Sequence, residues 1–314
     1  IVGKKLALIV LWWVLGRFSF WFMDYFGVLF TAIINVGLMA YISYLAAIPA
    51  FKDRNKKHVS LAYSMVSIVI IQALFFASEL KILEINSYKI LLLSLILVLV
   101  LIFLALRRVS MESINELLEQ EKIDDTFLAK SFRYNLVIFC LLLYGFVEFF
   151  FPNNSTLAYI CFACGASVLA ILNDFILKDN NILFKPFVLY IVTTILLTSI
   201  GFFFLGFNYL FELNVTNHFR HFITTGTFGM VFYVIMIIVS TIHTGREIFT
   251  NLYLTIGLML IIISTFIRAF IPYYFEYSMI LYILSSILWA IPFVIYIKIF
   301  FPFLLKPRAD GIKG

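Results

Sequence analysis

Ten long apolar runs, separated by short polar segments, constrain this chain more than any other feature. Each run is long enough to cross the hydrocarbon core of a bilayer, which takes about 20 residues of helix. Charged residues make up only 13% of the 314 residues and hydrophobic residues 63%, whereas a soluble domain has about 25% charged residues. The runs cover residues 5–22, 27–50, 59–78, 89–106, 134–151, 156–177, 186–206, 219–242, 250–270 and 277–303.

Inside lipid, backbone groups find no water to bond, so a run of this length can cross only as a helix. We therefore predict an all-α polytopic integral membrane protein with about ten transmembrane helices. The runs follow one another along the whole chain, so residues 1–314 are predicted to form a single transmembrane helical domain. The lipid bilayer is its first partner.

The basic residues lie mainly in alternate segments between the runs, and this predicts an orientation. If both termini are cytoplasmic, seventeen Lys and Arg residues fall in cytoplasmic segments and three on the opposite side. Cytoplasmic loops of membrane proteins carry this excess of positive charge. The basic residues do not cluster on one polar face, which argues against a nucleic-acid partner. The seventeen are Lys4, Lys5, Lys52, Arg54, Lys56, Lys57, Arg107, Arg108, Lys122, Lys130, Arg133, Lys178, Lys185, Arg246, Lys306, Arg308 and Lys313, and the three are Lys81, Lys89 and Arg220.

The longest segment between runs, residues 107–132, has its own pattern. Ile114, Leu117 and Leu118 recur at helical spacing among several glutamates. This pattern indicates a short amphipathic helix at the cytoplasmic surface. A solvated connector is the alternative that the same charges allow.

Ionisable residues within the runs indicate function, because a charge at membrane depth is costly. In the predicted orientation, Arg17, Glu148 and Arg268 lie towards the outer face. We predict that Arg17 is buried between helices and pairs with a carboxylate such as Glu148. The alternative is that these side chains extend to the nearby interface from helix ends.

Residues 217–247 contain three of the four histidines in the chain: His218, His221 and His243. His218 and His221 are three residues apart, so they share one helix face and suit two ligands of one metal, or one ligand and a supporting group. His243 follows His221 by 22 residues, which is about 33 Å along a helix. The two histidines are therefore predicted to lie at opposite faces of the bilayer and to serve separate sites.

Two of these patterns also have purely structural explanations. Gly245 can end a helix, and His243 and Arg246 suit the negative end of its dipole. Cys161 and Cys164 have the spacing of a redox or metal motif, but they lie within an apolar run and are followed by small residues. Close packing of helices explains this run of small residues.

Three groups of residues form a recognisable series from residue 7 to the C-terminus. They are Leu11, Trp12, Gly16 and Arg17; then His221, Gly226, Gly229, Met230, His243, Thr244, Gly245 and Arg246; then Trp289, Pro307, Arg308, Asp310 and Gly311. In this order and spacing they resemble the motifs of the NnrS family of bacterial membrane proteins.

The resemblance implies a protein of the bacterial inner membrane that carries haem and copper and is linked to nitric oxide metabolism and nitrosative stress. It implies His221 and His243 as cofactor ligands, with Arg246 beside the second and His218 as a further metal-ligand candidate. Family members have about twelve spans, with further histidines in two upstream helices, so this chain is expected to lack those two helices. Ile238 and Ile242 also depart from the family pattern, which has Arg and Gly there.

The first functional hypothesis is therefore a haem- and copper-binding protein that binds nitric oxide or protects against it, without being an enzyme. A membrane enzyme that reduces nitric oxide is an alternative. It would need several histidines to converge on two metals at one depth, and the four histidines here are divided between two faces. A secondary transporter lined by the charged residues of the outer face is the other alternative.

Overall fold

The computed structural model describes residues 3–53, 58–152, 154–177 and 182–311, and its regular structure is helical throughout these ranges. The helices are α1 (Lys4–Trp21), α2 (Met23–Lys52), α3 (Val59–Glu79), α4 (Ser87–Gln120), α5 (Ser131–Phe150), α6 (Thr156–Ala170), α7 (Pro186–Leu210), α8 (Thr216–Phe219), α9 (Phe228–His243), α10 (Leu252–Phe270) and α11 (Ser278–Leu305). Short 3-10 helices follow α6 (Ile171–Phe175) and α10 (Ile271–Tyr277), and a π-helix, Phe222–Thr227, lies between α8 and α9.

The prediction of an all-helical polytopic membrane protein is confirmed. Within the described residues, eight helical segments are long and apolar enough to cross a membrane. The last of them, Leu252–Leu305, has 54 residues and comprises both α10 and α11, which is about twice the length of one crossing. Helix α1 has 18 residues and is not among the eight. It carries three basic residues. The count of ten spans therefore stays a prediction, which requires α1 to cross and the last segment to cross twice.

The described helices form two compact units. One consists of residues 1–105 and 145–152, and the other of residues 106–144 and 153–314. Two of their three boundaries fall inside α4 and α5, and the third lies between α5 and α6. The boundary in α4 coincides with the end of an apolar run at residue 106, whereas the one in α5 lies within apolar sequence. The sequence predicts a single domain.

In the first unit, α1 packs against α2, and α2 against α3. Trp12 makes the central contact between α1 and α2. Its indole Nε1 donates a hydrogen bond to the carbonyl oxygen of Ile34 at 3.0 Å, and its ring lies where a Cβ at Gly37 would come within 3.1 Å. Gly37 therefore allows the indole to lie directly against the backbone of α2.

In the second unit, the residues between Thr216 and His243 form a central crossing. The π-helix contacts α7, α9 and α10, and α9 also contacts α11. An aromatic cluster fills this core: the Phe204 and Phe222 rings stack with centroids 5.1 Å apart, and Phe266 meets Phe222 edge-on at 5.1 Å.

The 107–132 segment differs from its prediction. It is helical as far as Gln120 as the direct continuation of α4, not as a separate surface helix. Ile114 and Leu118 are almost fully buried, and the Asn115 side chain bonds both the N–H and the carbonyl of Phe127. The apolar positions were recognised correctly, but the chain after Gln120 folds back and covers them within the second unit.

The prediction for Arg17 is wrong. Its side chain is exposed, and its Nη2 donates to the Oδ1 of Asn35 at 2.8 Å instead of pairing with Glu148. Asn35 comes from the neighbouring α2 and offers a neutral amide acceptor. Glu148 is itself buried and makes other interactions. Residues 54–57, which include Lys56, and Asn153 lie outside the described residues, as do Lys178 and Lys313.

Candidate functional site

His221 stands where the helical geometry changes. α8 ends at Phe219, and the π-helix begins at Phe222, directly after His221. In a π-helix the backbone hydrogen bond reaches one residue further than in an α-helix, so the turn is wider, and such turns are frequent at functional sites. The Thr227 hydroxyl supports the wide turn by donating to the carbonyl of Phe222 at 3.3 Å.

A tryptophan from α11 completes this turn. The indole Nε1 of Trp289 donates to the carbonyl oxygen of Thr225 at 3.1 Å. A Cβ placed on Gly229 would lie 2.5 Å from the same Nε1, and a Cβ on Gly226 would lie 2.9 Å from the Thr265 side chain. Any side chain at Gly226 or Gly229 would therefore clash with Thr265 of α10 or with Trp289 of α11, respectively. Sequence reasoning noted Trp289 and the glycines separately but did not predict their contact.

The structure brings His218 and His221 together, as their spacing predicts. Their ring centroids are 6.2 Å apart, with 71° between the ring planes. The Nδ1 of His221 lies 3.3 Å from the hydroxyl oxygens of both Thr224 and Thr225. A hydrogen bond at one ring nitrogen fixes the tautomer and orients the other. With the proton on Nδ1, the lone pair of Nε2 is presented to a ligand.

His218 has a buried ring nitrogen whose hydrogen-bonding capacity is not used within the described part of the chain. Its Nδ1 is buried, and among the described residues it has no hydrogen-bond partner. Leaving a buried polar group without a partner costs about 1–3 kcal/mol. A metal ion bound by the imidazole, or a donor group carried by a ligand, would remove that cost. The two histidines therefore fit a metal or haem ligand pair.

Basic and hydroxyl groups surround the pair. Arg268 and His218 lie close enough to act electrostatically on His221. The guanidinium of Arg268 is held over the ring of Tyr282 at 4.5 Å. The second unit thus places a cation beside the imidazoles, where a negatively charged group of a ligand would be stabilised.

The donor set of this pair is limited to two imidazoles. Within the described residues, no group of three or more His, Cys, Asp or Glu side chains could hold a metal ion. Met230 is fully buried one turn after the π-helix. Cys140, Cys161 and Cys164 are buried and form no disulfide among the described residues, as expected for packing positions.

The His243–Arg246 segment forms a helix-ending motif. Gly245 has a left-handed backbone with φ +67°. The N–H of Arg246 donates to the carbonyl of Thr241 at 3.1 Å, and the N–H of Gly245 to that of Ile242 at 3.0 Å. These are the two hydrogen bonds of a Schellman motif, so the structural explanation of this sequence is confirmed. The His243 side chain is exposed, and Arg246 lies over the Phe303 ring at 4.3 Å.

The C-terminal tail closes over this turn. The Arg308 Nη1 donates to the carbonyl of His243 at 3.2 Å, and the N–H of Ala309 donates to that of Thr244 at 3.0 Å. Arg308 also pairs with Asp310, and this hydrogen bond raises the pKa of the Arg308 guanidinium. The His243–Arg246 turn and the C-terminal tail, some 60 residues apart, thus form one structure. Both belong to the family pattern, but the pattern does not indicate that they are in contact.

His221 and His243 belong to separate places. They stand at the two ends of one helical crossing, separated by about 33 Å at the usual rise per residue. His218 lies with the first, and Arg246 with the second.

The family model described as "NnrS protein" matches residues 1–308 of this chain. No curated protein and no solved structure matches it.

Proposed function

Because the chain belongs to the NnrS family, we propose that it is a haem- and copper-binding protein of the bacterial inner membrane that serves the response to nitric oxide and nitrosative stress. It acts by binding or protection and not by turnover. The observation that carries this proposal is the His218–His221 pair, in which one imidazole nitrogen is buried without a partner and the other ring is oriented by two threonine hydroxyls.

His221 is the primary ligand in this proposal, and His218 is the second. Imidazole suits both iron and copper. A haem held by imidazole supplies an iron centre at which a small diatomic molecule can bind. The chain holds and orients the imidazoles through Thr224, Thr225 and the π-helix, and Arg268 provides positive charge beside them. Nitric oxide is small and apolar, so it reaches such a site through the bilayer.

His243 and Arg246 form the second proposed site. The exposed imidazole of His243 is available to a cofactor. Arg246 is held in place by its hydrogen bond to the Thr244 carbonyl at 3.1 Å and by Phe303. A guanidinium fixed in this way suits a carboxylate such as a haem propionate. Because this site lies far from the first, changes at the two should be additive.

Binding is favoured over catalysis by the donor set. A reductase of the haem–copper type requires several histidines around two metals at one depth, and the described residues gather two histidines at one place. Sustained consumption of nitric oxide by the purified protein, supplied with an electron donor, would instead support the enzyme hypothesis.

The decisive experiment is the absorbance spectrum of the purified full-length protein, together with its haem and copper content per chain. We expect a Soret band in the parent and its loss, or loss of copper, in His221→Ala. His218→Ala should show a comparable loss, because the structure buries its unpartnered nitrogen. If His218 were only a supporting group, as its spacing also allows, the effect would be mild. His58→Ala is the matched control and should keep the parent's content.

Folding must be separated from ligand loss in these variants. His221→Asn keeps a side-chain amide for the neighbouring threonines and should elute as the parent does while still lacking the cofactor. Full haem and copper in His218→Ala, His221→Ala and His243→Ala would contradict the proposal. These residues would then only start, support and cap a helix.

A further inference from the structure

A buried polar network ties α1 to α2. Asn35 of α2 is 1% exposed. Its Nδ2 lies within hydrogen-bond distance of the Gly16 carbonyl, the Ser19 hydroxyl and the Thr31 carbonyl, at 3.4, 3.2 and 2.8 Å. A Cβ on Gly16 would lie 2.8 Å from the Asn35 Oδ1. Asn35 is therefore fixed in both position and orientation.

Arg17 is attached to the outside of this network. It donates through Nη2 to the Asn35 Oδ1, and its Cζ lies 5.9 Å from the Trp13 ring centroid and 5.2 Å from that of Phe20. The side chain is exposed. Among the described residues no carboxylate pairs with it. Most of its N–H donors thus remain open on a fixed guanidinium.

The surroundings place this guanidinium near the level of lipid headgroups. Trp13, Trp21 and Tyr25 are 53%, 76% and 86% exposed, and tryptophan and tyrosine are typical of the interface between membrane and water. Arg17 precedes Trp21, the last residue of α1, by one helical turn, about 6 Å. An arginine near a helix end reaches the interface, where the lipid phosphates are the anions available to it.

We propose that Arg17 binds the phosphate of a membrane lipid headgroup, with Asn35 as the residue that orients the guanidinium. Charge complementarity selects this ligand, because the planar fork of arginine matches phosphate oxygens in a bidentate manner. The exposed aromatic rings beside it pack on the glycerol and upper acyl region of the same lipid. The site is formed by α1 and α2 alone and is independent of the histidine pair.

The test measures lipids retained by the purified full-length protein. After detergent washing, the protein is titrated with phosphatidylglycerol or with diacylglycerol of the same acyl chains, and bound lipid is counted by native mass spectrometry. The parent should retain phosphatidylglycerol better than diacylglycerol. In Arg17→Gln this preference should fall at least roughly tenfold, because the charge-assisted hydrogen bonds of the fork are lost. Arg17→Lys, a point charge without the fork, should fall in between.

Lys81→Gln is the matched control, because it removes one positive charge from an exposed position of the same unit. It should keep the parent's preference. Gln at position 17 retains an N–H donor for Asn35, so α1 and α2 should stay packed, and an unchanged melting temperature in detergent without added lipid verifies this. Equal losses in Arg17→Gln and Lys81→Gln, or equal retention of the two lipids by the parent, would overturn the proposal.

Discussion

Gly245 and Gly311 share a left-handed backbone conformation but differ in their surroundings. Their φ angles are +67° and +74°. A Cβ at Gly245 would lie 2.5 Å from the Asp310 carboxyl carbon, whereas nothing lies within 4 Å of one at Gly311. A comparison of alanine substitutions at the two glycines therefore separates the free-energy cost of backbone strain from the cost of displacing the C-terminal tail.

Gly245→Ala should destabilise the protein more than Gly311→Ala. Left-handed backbone costs an alanine about 1 kcal/mol, and this applies to both variants. Gly245→Ala should add about 1–3 kcal/mol, as overpacking typically does, because Asp310 and the tail must move off the turn. Thermal unfolding in detergent measures both. The added cost should shrink in a Gly245→Ala, Asp310→Ala double variant. Equal effects of the two glycine changes would show that the tail contact contributes nothing.

For single residues, the sequence predicts the local backbone geometry well but does not predict which distant residues they contact. A glycine after a helix, followed by a basic residue, predicts the cap at Gly245, because the rule depends on the adjacent backbone only. The contact with Asp310 follows no local rule. Arg17 shows the same limit: a charge at membrane depth predicts an interaction, but whether the partner is Glu148 or Asn35 depends on how α1 and α2 pack.

The π-helix is the element that combines most of the second unit's unusual residues. Its six residues, Phe222–Thr227, are apolar or small and are equally compatible with an α-helix, so the sequence does not predict it. Only the structure shows the wide turn, together with the hydrogen bond that Trp289 donates to the Thr225 carbonyl. The existence of the helices could be predicted from the apolar runs, although α4 continues to Gln120, well beyond its run. The change of hydrogen-bonding pattern next to His221 could not be predicted.

Trp289→Phe should lower both stability and cofactor content. It removes one hydrogen bond to the backbone of the π-helix, worth about 1 kcal/mol, and it loosens the turn that carries Thr224 and Thr225. Trp12→Phe is a close control, because the Trp12 indole makes the same kind of bond, to the Ile34 carbonyl at 3.0 Å, in the other unit.

We expect similar losses of melting temperature in the two tryptophan variants, but a loss of haem or copper only in Trp289→Phe. Melting curves and cofactor content per chain provide the two readouts. Unchanged cofactor content in a Trp289→Phe protein that melts early would mean that the π-helix does not position the histidines.

For the whole molecule, the bilayer constrains the secondary structure, but it does not determine which helices contact one another. All-helical structure and the number of spans follow from run length and from the need to satisfy the backbone in lipid. The arrangement of the helices does not follow, because apolar surfaces in lipid carry no signal for which neighbour they meet. The unit boundary at residues 144/145 is an instance, since it lies inside an apolar stretch of α5.

Membrane orientation is the remaining whole-molecule property, and it is predicted from charge. The distribution of seventeen basic residues against three predicts that both termini and the 52–58 segment are cytoplasmic. Asn214 lies in the exposed turn between α7 and α8 and is predicted to be outside, as is Asn153. Alkaline phosphatase, which is active only outside the cytoplasm, should therefore be active when fused at Asn153 or Asn214 and inactive at Lys56. Green fluorescent protein at the same positions should give the reverse pattern. Active phosphatase at Lys56 together with fluorescence at Asn214 would show that the protein has the opposite orientation. The His218–His221 pair would then lie at the cytoplasmic face and the His243–Arg246 turn outside.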